Sequence, residues 1–209
     1  MRFAFILLLA TLTLHAQEVT NHTGNSEELI GKGLKRFSLE KGMIRYEIDG
    51  QPNDTLIVAF DRFGWREVTM EYGEKKYYGM KTNINTMAVM DGESFYAMNL
   101  MNNTGKINFG NDLVKLAGYK TPEEIFIARM SQLKATKIGM ETILGKECEV
   151  WQYTSRGKPC KLWAWKGLEL KHHTASNKKT ATVLNLDSAI PEKIFIIPGD
   201  IKWQDTENN

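Results

Sequence analysis

The chain has few of the residues that build catalytic or metal-binding sites. Only two cysteines and four histidines occur among its 209 residues. His172 and His173 are adjacent, so on a strand they would face opposite sides and could not hold one metal ion together. The chain also lacks a Gly-x-Ser-x-Gly turn and a glycine-rich phosphate loop. We therefore expect no metal, no other cofactor and no enzymatic activity.

Neither sign of charge predominates in this chain. It carries 27 basic and 25 acidic residues, for a net charge of +2. Nucleic-acid binding depends on clustered lysine and arginine side chains that meet phosphates. The densest basic stretch, residues 171–179, is interrupted by four uncharged residues and is typical of a solvated hairpin turn. We therefore expect no nucleic-acid partner.

The sequence has no apolar run long enough to cross a membrane, which takes about twenty residues. The N terminus has Arg2, then a short apolar stretch over residues 3–14, and then Ala16. This pattern predicts a signal peptide at residues 1–16. Gln17 follows, where a lipid-anchored bacterial protein would carry a cysteine. We expect an exported protein, periplasmic or secreted, that neither spans a membrane nor carries a lipid anchor.

The two cysteines are predicted to be unpaired. If Thr154 faces Pro159 across a hairpin, Cys160 lies opposite Tyr153. Cys148 is then about 16 Å away along the neighbouring strand, at 3.3 Å per residue. A disulfide needs Cα atoms within about 7 Å of each other. A bulge or a longer loop is the alternative that would bring the two thiols together.

The rest of the chain divides into a lead-in, one domain and a tail. Residues 17–40 are polar and contain three glycines, which predicts a flexible lead-in with a weak helix near residues 26–30. Residues 41–203 alternate apolar and polar side chains in short runs between turn residues, the pattern of an antiparallel sheet. Residues 204–209 form the tail. About nine strands are expected, at residues 43–48, 55–60, 65–72, 81–90, 93–101, 140–154, 160–170 (with a bulge at Gly167), 180–186 and 194–197.

A helical insertion interrupts the strands over residues 111–135. Thr121 suits an N-cap, Pro122 suits the first helical position, and Glu124 completes a capping box. Phe126 and Met130 then fall on one apolar stripe. The sequence predicts an amphipathic helix over residues 121–134 that needs a sheet face to lie on.

Adaptable apolar residues are concentrated in one hairpin and its approach, which contain Met80, Met87, Met90, Met98 and Met101. Methionine fills irregular cores and also lines adaptable hydrophobic sites. An ordinary core beneath the helix and a hydrophobic cavity between sheet and helix both agree with this cluster. Trp163 and Trp165 alternate with apolar neighbours, so both faces of their strand need a cover.

Four passages carry a family resemblance: Met-Ile-Arg-Tyr-Glu-Ile at residues 43–48, Gly-Lys-Glu-Cys-Glu-Val-Trp at 145–151, Trp-Ala-Trp-Lys-Gly-Leu-Glu-Leu at 163–170 and Phe-Ile-Ile-Pro-Gly at 195–199. With the export signal and the helical insertion, they resemble the periplasmic lipoprotein carriers of the LolA/LolB-like superfamily and uncharacterised exported bacterial proteins within it. The resemblance implies a helical lid over a hydrophobic cavity that holds acyl chains. It transfers no functional residue.

The fold that we expect is α+β and mainly antiparallel β. It is a curved, unclosed half-barrel of about nine strands, with a helical lid over its concave face. We expect a soluble, monomeric binding protein that shelters a hydrophobic ligand, a lipid or lipoprotein acyl chain, between sheet and helix. The candidate ligand-binding residues are Val58, Phe60, Met70, Met87, Val89, Met98, Leu100, Phe126, Met130 and Trp163.

Two other classes of function stay open at this stage. One is an envelope structural or interaction protein with a filled core and no ligand, whose sheet edge or tryptophan face contacts an envelope partner. The other is a hydrolase with a dispersed active site. An empty or a filled space between helix and sheet would distinguish the first of these classes from a ligand carrier.

Overall fold

The computed structural model describes residues 25–49, 51, 53–77, 80–109 and 121–204. The predicted signal peptide, the first part of the lead-in, the first half of the helical insertion and nearly all of the tail lie outside the described residues. Twelve strands form one sheet: β1 Gly42–Ile48, β2 Asp54–Asp61, β3 Arg66–Tyr77, β4 Met80–Asp91, β5 Ser94–Asn99, β6 Thr104–Phe109, β7 Thr136–Ile143, β8 Lys146–Ser155, β9 Lys158–Trp165, β10 Leu168–His173, β11 Lys178–Asn185 and β12 Lys202–Gln204.

The strand order is β12-β6-β5-β4-β3-β2-β1-β11-β10-β9-β8-β7. Neighbouring strands are antiparallel except β12 and β6, which run parallel. The two edge strands, β12 and β7, do not pair with each other, so the curved sheet is unclosed. The prediction of a mainly antiparallel half-barrel with a helix is therefore confirmed.

The number of strands is larger than predicted because two expected strands are each divided by a tight turn. Leu144 and Gly145 separate β7 from β8, and Lys166 and Gly167 separate β9 from β10. All four residues have positive φ angles, between 50° and 82°, as two-residue hairpin turns require. The bulge predicted at Gly167 is thus wrong, because Gly167 belongs to the turn and the register shifts three residues later.

The closing segment also differs from the prediction. Residues 194–197 form no strand, because a short 3-10 helix, Glu192–Phe195, occupies the first half of this region. The last strand is β12, seven residues later, and the sequence pattern did not indicate β6. Pro191 precedes the 3-10 helix, and its missing amide hydrogen makes it unsuited to the interior of a sheet.

One face of the sheet, the outer face, is covered by the segment of residues 190–203. Met70, Met87 and Met98 lie directly opposite one another on β3, β4 and β5. They pack with Phe195 and Ile201 of the covering segment. Met87 and Met98 of the predicted methionine cluster therefore belong to a filled core on the outer face, whereas Met80 and Met101 are exposed.

The opposite, inner face carries Ile44, Val58, Leu162 and Ala164, and the main helix lies against it. Helix α2, Pro122–Gln132, has the predicted capping box at Thr121. Its Phe126 packs with Leu162 and Ala164, and the Phe126 ring meets the Trp151 ring edge-on at 5.8 Å. Leu162 and Ala164 are thus covered by the helix, which accounts for the apolar character of this face of their strand.

The lead-in packs against the sheet and the helix from residue 25 onward. Helix α1, Ser26–Gly31, agrees with the helix predicted near residues 26–30. Its Leu29 packs with Trp65 and with Ile125 of α2. Phe37 is buried beside Gly64, where an added Cβ would lie 2.3 Å from the phenyl ring. Residues 25–40 therefore belong to the folded domain.

Both cysteines are free, as predicted, and both are buried. Thr154 pairs with Pro159, and Tyr153 pairs with Cys160, which is the register expected from the turn. Cys148 lies on the same strand as Tyr153 but close to the other end, so the two thiols are far apart.

The capping box makes the stability of α2 testable. Thr121 Oγ1 accepts a hydrogen bond from the Glu124 amide at 3.1 Å. Thr121→Ala should lower the free energy of unfolding by about 1 kcal/mol, because the amide loses its acceptor. Thr121→Ser keeps the acceptor and should stay close to the wild type. Urea denaturation followed by circular dichroism measures both, and equal losses in the two variants would contradict a role for the cap.

Candidate functional site

A cavity of about 180 Å³ lies on the inner face, between α2, the lead-in and the central strands. Its residues come from β1, β2, β3, β10 and β11, from the lead-in and from α2. Side-chain alternation sends every second residue of β1 and β2 to this face. The apolar lining consists of Phe37, Ile44, Leu56, Val58, Phe60 and Leu168.

Five charged side chains line the same cavity as these apolar groups. Arg36 is largely buried, and its Nη1 lies 2.9 Å from Glu67 Oε2. Burial lowers the pKa of the Arg36 guanidinium, and the carboxylate of Glu67 opposes this effect. Arg129 reaches the cavity from α2, and among the described residues its guanidinium has no ion-pair or hydrogen-bond partner.

The remaining charges form a network around Glu169. Lys179 Nζ lies 2.7 Å from Glu169 Oε1, and His172 Nδ1 lies 3.2 Å from the same oxygen. Burial alone would raise the pKa of Glu169, but His172 and Lys179 overcome it and hold the value at about 2. The Tyr46 hydroxyl donates to the Glu169 carbonyl oxygen, and burial raises the pKa of Tyr46 well above its usual range. Glu169 is therefore a carboxylate fixed by its neighbours.

Tyr153, His172 and Glu169 follow the order of a nucleophile, a base and an orienting acid. Tyr153 Oη lies 2.7 Å from His172 Nε2. Burial raises the pKa of the Tyr153 hydroxyl, however, with a further contribution from Cys160. A nucleophile needs its pKa lowered or a free base beside it. Burial of Tyr153 therefore disfavours the phenolate that a tyrosine nucleophile would need.

Two acidic side chains of β3 and β8 are held in ion pairs. Glu67 pairs with Arg36, and Glu149 pairs with Lys137 at 2.5 Å. No group of three histidine, cysteine, aspartate or glutamate residues within the described ranges could hold a metal ion. In the same part of the chain, no helix has the length and apolar character needed to cross a membrane.

Two of the ten predicted site residues line the cavity, and two others belong to α2. Val58 and Phe60 line the cavity. Phe126 and Met130 belong to α2 and pack in the adjoining cluster with Leu162.

The other six predicted site residues lie away from the cavity. Five belong to the filled core of the outer face, namely Met70, Met87, Val89, Met98 and Leu100. Trp163 is only 4% exposed, its Nε1 donates to Glu141 Oε2 at 2.6 Å, and Lys171 Nζ lies 4.4 Å from the ring centre. Trp163 therefore presents no open surface to a ligand or a partner.

Several cavity residues were missed in the sequence. Ile44 and Tyr46 could have been found, because they share one face of the clean alternation in β1. Glu67 and Thr69 share a face with Val58 and Phe60 once the pairing of β2 and β3 is known. No sequence pattern marks Arg36 as a cavity residue, since it lies in an irregular segment.

Two larger depressions occur elsewhere on the described surface. One, of about 350 Å³, lies beside the turn at Arg62 and Phe63. The other, of about 380 Å³, lies over β3 to β6, includes the predicted site residues Met87 and Met98, and shares Thr69 with the cavity of about 180 Å³. No residue of α2 lines either of them, so the cavity of about 180 Å³ is the candidate for a lidded site.

No protein family matches the chain, and no curated protein matches it. Several solved structures are similar to it. An uncharacterized conserved protein from Thermus thermophilus has 8% identity and a TM-score of 0.47, with 86% of this chain and 98% of that chain covered. PNGF-II has 10% identity and a TM-score of 0.49, but the match covers 79% of this chain and only 32% of PNGF-II.

Two further similar structures have lower TM-scores. LprF from Mycobacterium bovis has 9% identity and a TM-score of 0.37, with 80% of this chain and 95% of LprF covered. A putative outer membrane lipoprotein-sorting protein domain from Vibrio parahaemolyticus has 9% identity and a TM-score of 0.25, with coverages of 82% and 97%. Similarity at this level assigns neither a family nor a function to the chain.

Asp54 adds a titrating group at the start of β2. Its side chain is fully buried, and its Oδ2 lies 3.7 Å from Lys75 Nζ. Burial, together with the nearby Glu71, raises the pKa of Asp54 from 3.8 to about 6 against the opposing charge of Lys75. The folded state therefore favours the neutral carboxyl group, and ionised Asp54 costs stability above pH 6.

Asp54→Asn should therefore stabilise the protein in a pH-dependent way. The raised pKa implies a stabilising contribution that is complete below about pH 4 and is lost as the pH rises through 6. The difference in unfolding free energy between variant and wild type should grow between pH 4 and pH 7, by up to about 3 kcal/mol, and then level off. Urea denaturation across this range measures it.

Asp187→Asn is the matched control, because the Asp187 side chain is exposed. Its difference from the wild type should stay nearly constant over the same range. A flat profile for Asp54→Asn as well would contradict the raised pKa.

Proposed function

We propose that this protein is an exported, non-enzymatic binding protein that holds an acyl chain or a similar apolar ligand between α2 and the inner face of the sheet. The observation that carries the proposal is the cavity of about 180 Å³ beneath α2, with its floor of aliphatic and aromatic side chains. Export follows from the signal peptide that the sequence predicts. The ligand class follows from the apolar floor.

The size of the cavity supports a lid that moves. Ligand pockets for small molecules usually enclose about 300–1,000 Å³. The cavity is smaller than this, so it admits a short chain as it stands, and a longer chain requires α2 to move outward. Among the described residues, no backbone hydrogen bond joins α2 to a strand. The helix can therefore swing away without breaking the sheet.

A second candidate function has one observation in its favour. Ile138 and Met140 are 48% and 49% exposed on the edge strand β7. Open strand edges with apolar side chains can pair with another chain. An envelope interaction protein with no ligand would use this edge and leave the cavity empty or water-filled.

Filling the cavity distinguishes the two candidates. Val58→Trp should abolish uptake of cis-parinaric acid, measured by its fluorescence, because the indole occupies the space that the chain needs. Val183→Trp is the matched control, since Val183 lies 46% exposed on β11. It should bind as the wild type does. Thermal unfolding of both variants checks that the fold is retained.

Two results would count against the proposal. One is equal uptake by a folded Val58→Trp variant and the wild type, which would place the bound probe elsewhere. The other is an apo mass alone in native mass spectrometry of protein purified gently from its own compartment, combined with no uptake of the fatty acid. The second result would favour the interaction protein.

A further inference from the structure

The charges that line the cavity do not balance. Arg36 is paired with Glu67 at 2.9 Å, and Lys179 is paired with Glu169 at 2.7 Å. His172 Nδ1 also contacts the Glu169 carboxylate, at 3.2 Å. Arg129 is the third cation on the lining, and no carboxylate in the described part of the chain pairs with it. The cavity therefore holds one more cation than it has carboxylates.

The charge of Arg129 acts on the interior of the cavity. Burial is the main reason that the pKa of Arg36 is lowered, and repulsion from Arg129 lowers it further. Two guanidinium groups thus approach one cavity, and Glu67 balances the charge of only one of them. Partly buried cations of this kind are stabilised by an anion that enters from outside.

The position of Arg129 suits a ligand that has an apolar chain and a charged head group. Its neighbour Met130 is buried against the sheet, whereas Arg129 is half-buried and lines the cavity from the lid side. The aliphatic floor, which includes Ile44 and Val58, lies on the sheet side. A chain on that floor would leave its head group near the guanidinium. Arginine binds carboxylate and phosphate groups through two parallel hydrogen bonds, and is suited to such a head group.

We propose that Arg129 binds the anionic head group of an amphiphile whose chain lies on the apolar floor of the cavity. This inference rests on the proposed function and narrows its ligand to acidic amphiphiles, such as fatty acids or lipids with an exposed phosphate. Because Arg129 belongs to the lid and the floor belongs to the sheet, one ligand contacts both. Binding therefore holds α2 against the sheet, and a neutral chain holds it less firmly.

Matched ligands test the head-group preference by isothermal titration calorimetry. Decanoate and decyl phosphate are anions with a ten-carbon chain, and decanol is a neutral ligand with a chain of the same length. Acetate and inorganic phosphate are anions without a long chain. A hydrogen-bonded ion pair is worth about 1.5–3 kcal/mol, which corresponds to a factor of about 10 to 100 in affinity. Decanoate, decyl phosphate or both should bind the wild type more tightly than decanol by a factor in this range.

Variants of Arg129 test whether this residue provides the preference. Arg129→Gln should reduce the advantage of decanoate over decanol to about threefold or less and leave the affinity for decanol nearly unchanged. Arg129→Lys should retain part of the advantage, since it keeps the charge but loses the bidentate geometry. Arg156→Gln removes an exposed arginine from the turn after β8 and should bind as the wild type does. Thermal unfolding confirms that each variant is folded.

The possible failures are distinguishable. If decanol binds as tightly as the charged ligands, or if folded Arg129→Gln keeps the full preference, the head-group assignment is overturned while the proposed function stands. If acetate or inorganic phosphate binds as tightly as the charged chains, the site takes free anions and the amphiphile is excluded. If none of the decyl ligands binds the wild type, the proposed function fails and this inference fails with it.

Discussion

Strand register is the constraint on which the rest of this structure depends. Ile44 pairs with Val58, and Val58 pairs with Thr69, so one hydrogen-bonded ladder decides which side chains share a face. A shift of one residue would exchange the faces of a whole strand. In the observed register Met70, Met87 and Met98 meet the segment of residues 190–203, and the aliphatic residues of β1 and β2 line the cavity. These two apolar sets lie on opposite faces of the sheet. The cavity is lined by the set on the inner face.

The inner face is apolar over only part of its width, and this fixes where the lid can lie. On β3, the residues of the same ladders are polar, with Glu67 beside Phe60 and Glu71 beside Leu56. Helix α2 buries Phe126 and Met130 against β8 and β9 instead. The cavity occupies the remaining apolar area between the helix contacts and the polar strands. Its charged rim follows from the same change of residue type.

The fold could be predicted further than the site could. Alternation predicted most of the strands, and Thr121 with Pro122 predicted the start of α2. Alternation cannot tell how two strands are aligned, so Val58 and Met70 were assigned to one site although they face opposite sides. Register shifts in β7, β10 and β11 change the faces of later residues without any clear sequence signal. Arg36 lies in an irregular segment, and no periodicity could place it.

The charged residues that line the cavity argue against a purely structural hydrophobic core. Burying an ion pair costs desolvation that its attraction often fails to repay, and apolar residues of similar size usually give equal or greater stability. The inner face nevertheless buries Glu169 with two basic partners and places Arg36 and Glu67 against Phe60 and Ile44. Stability alone gives no reason for these charges. Recognition of a ligand with one apolar part and one charged part, as proposed above, gives a reason for both the apolar floor and the charged side chains.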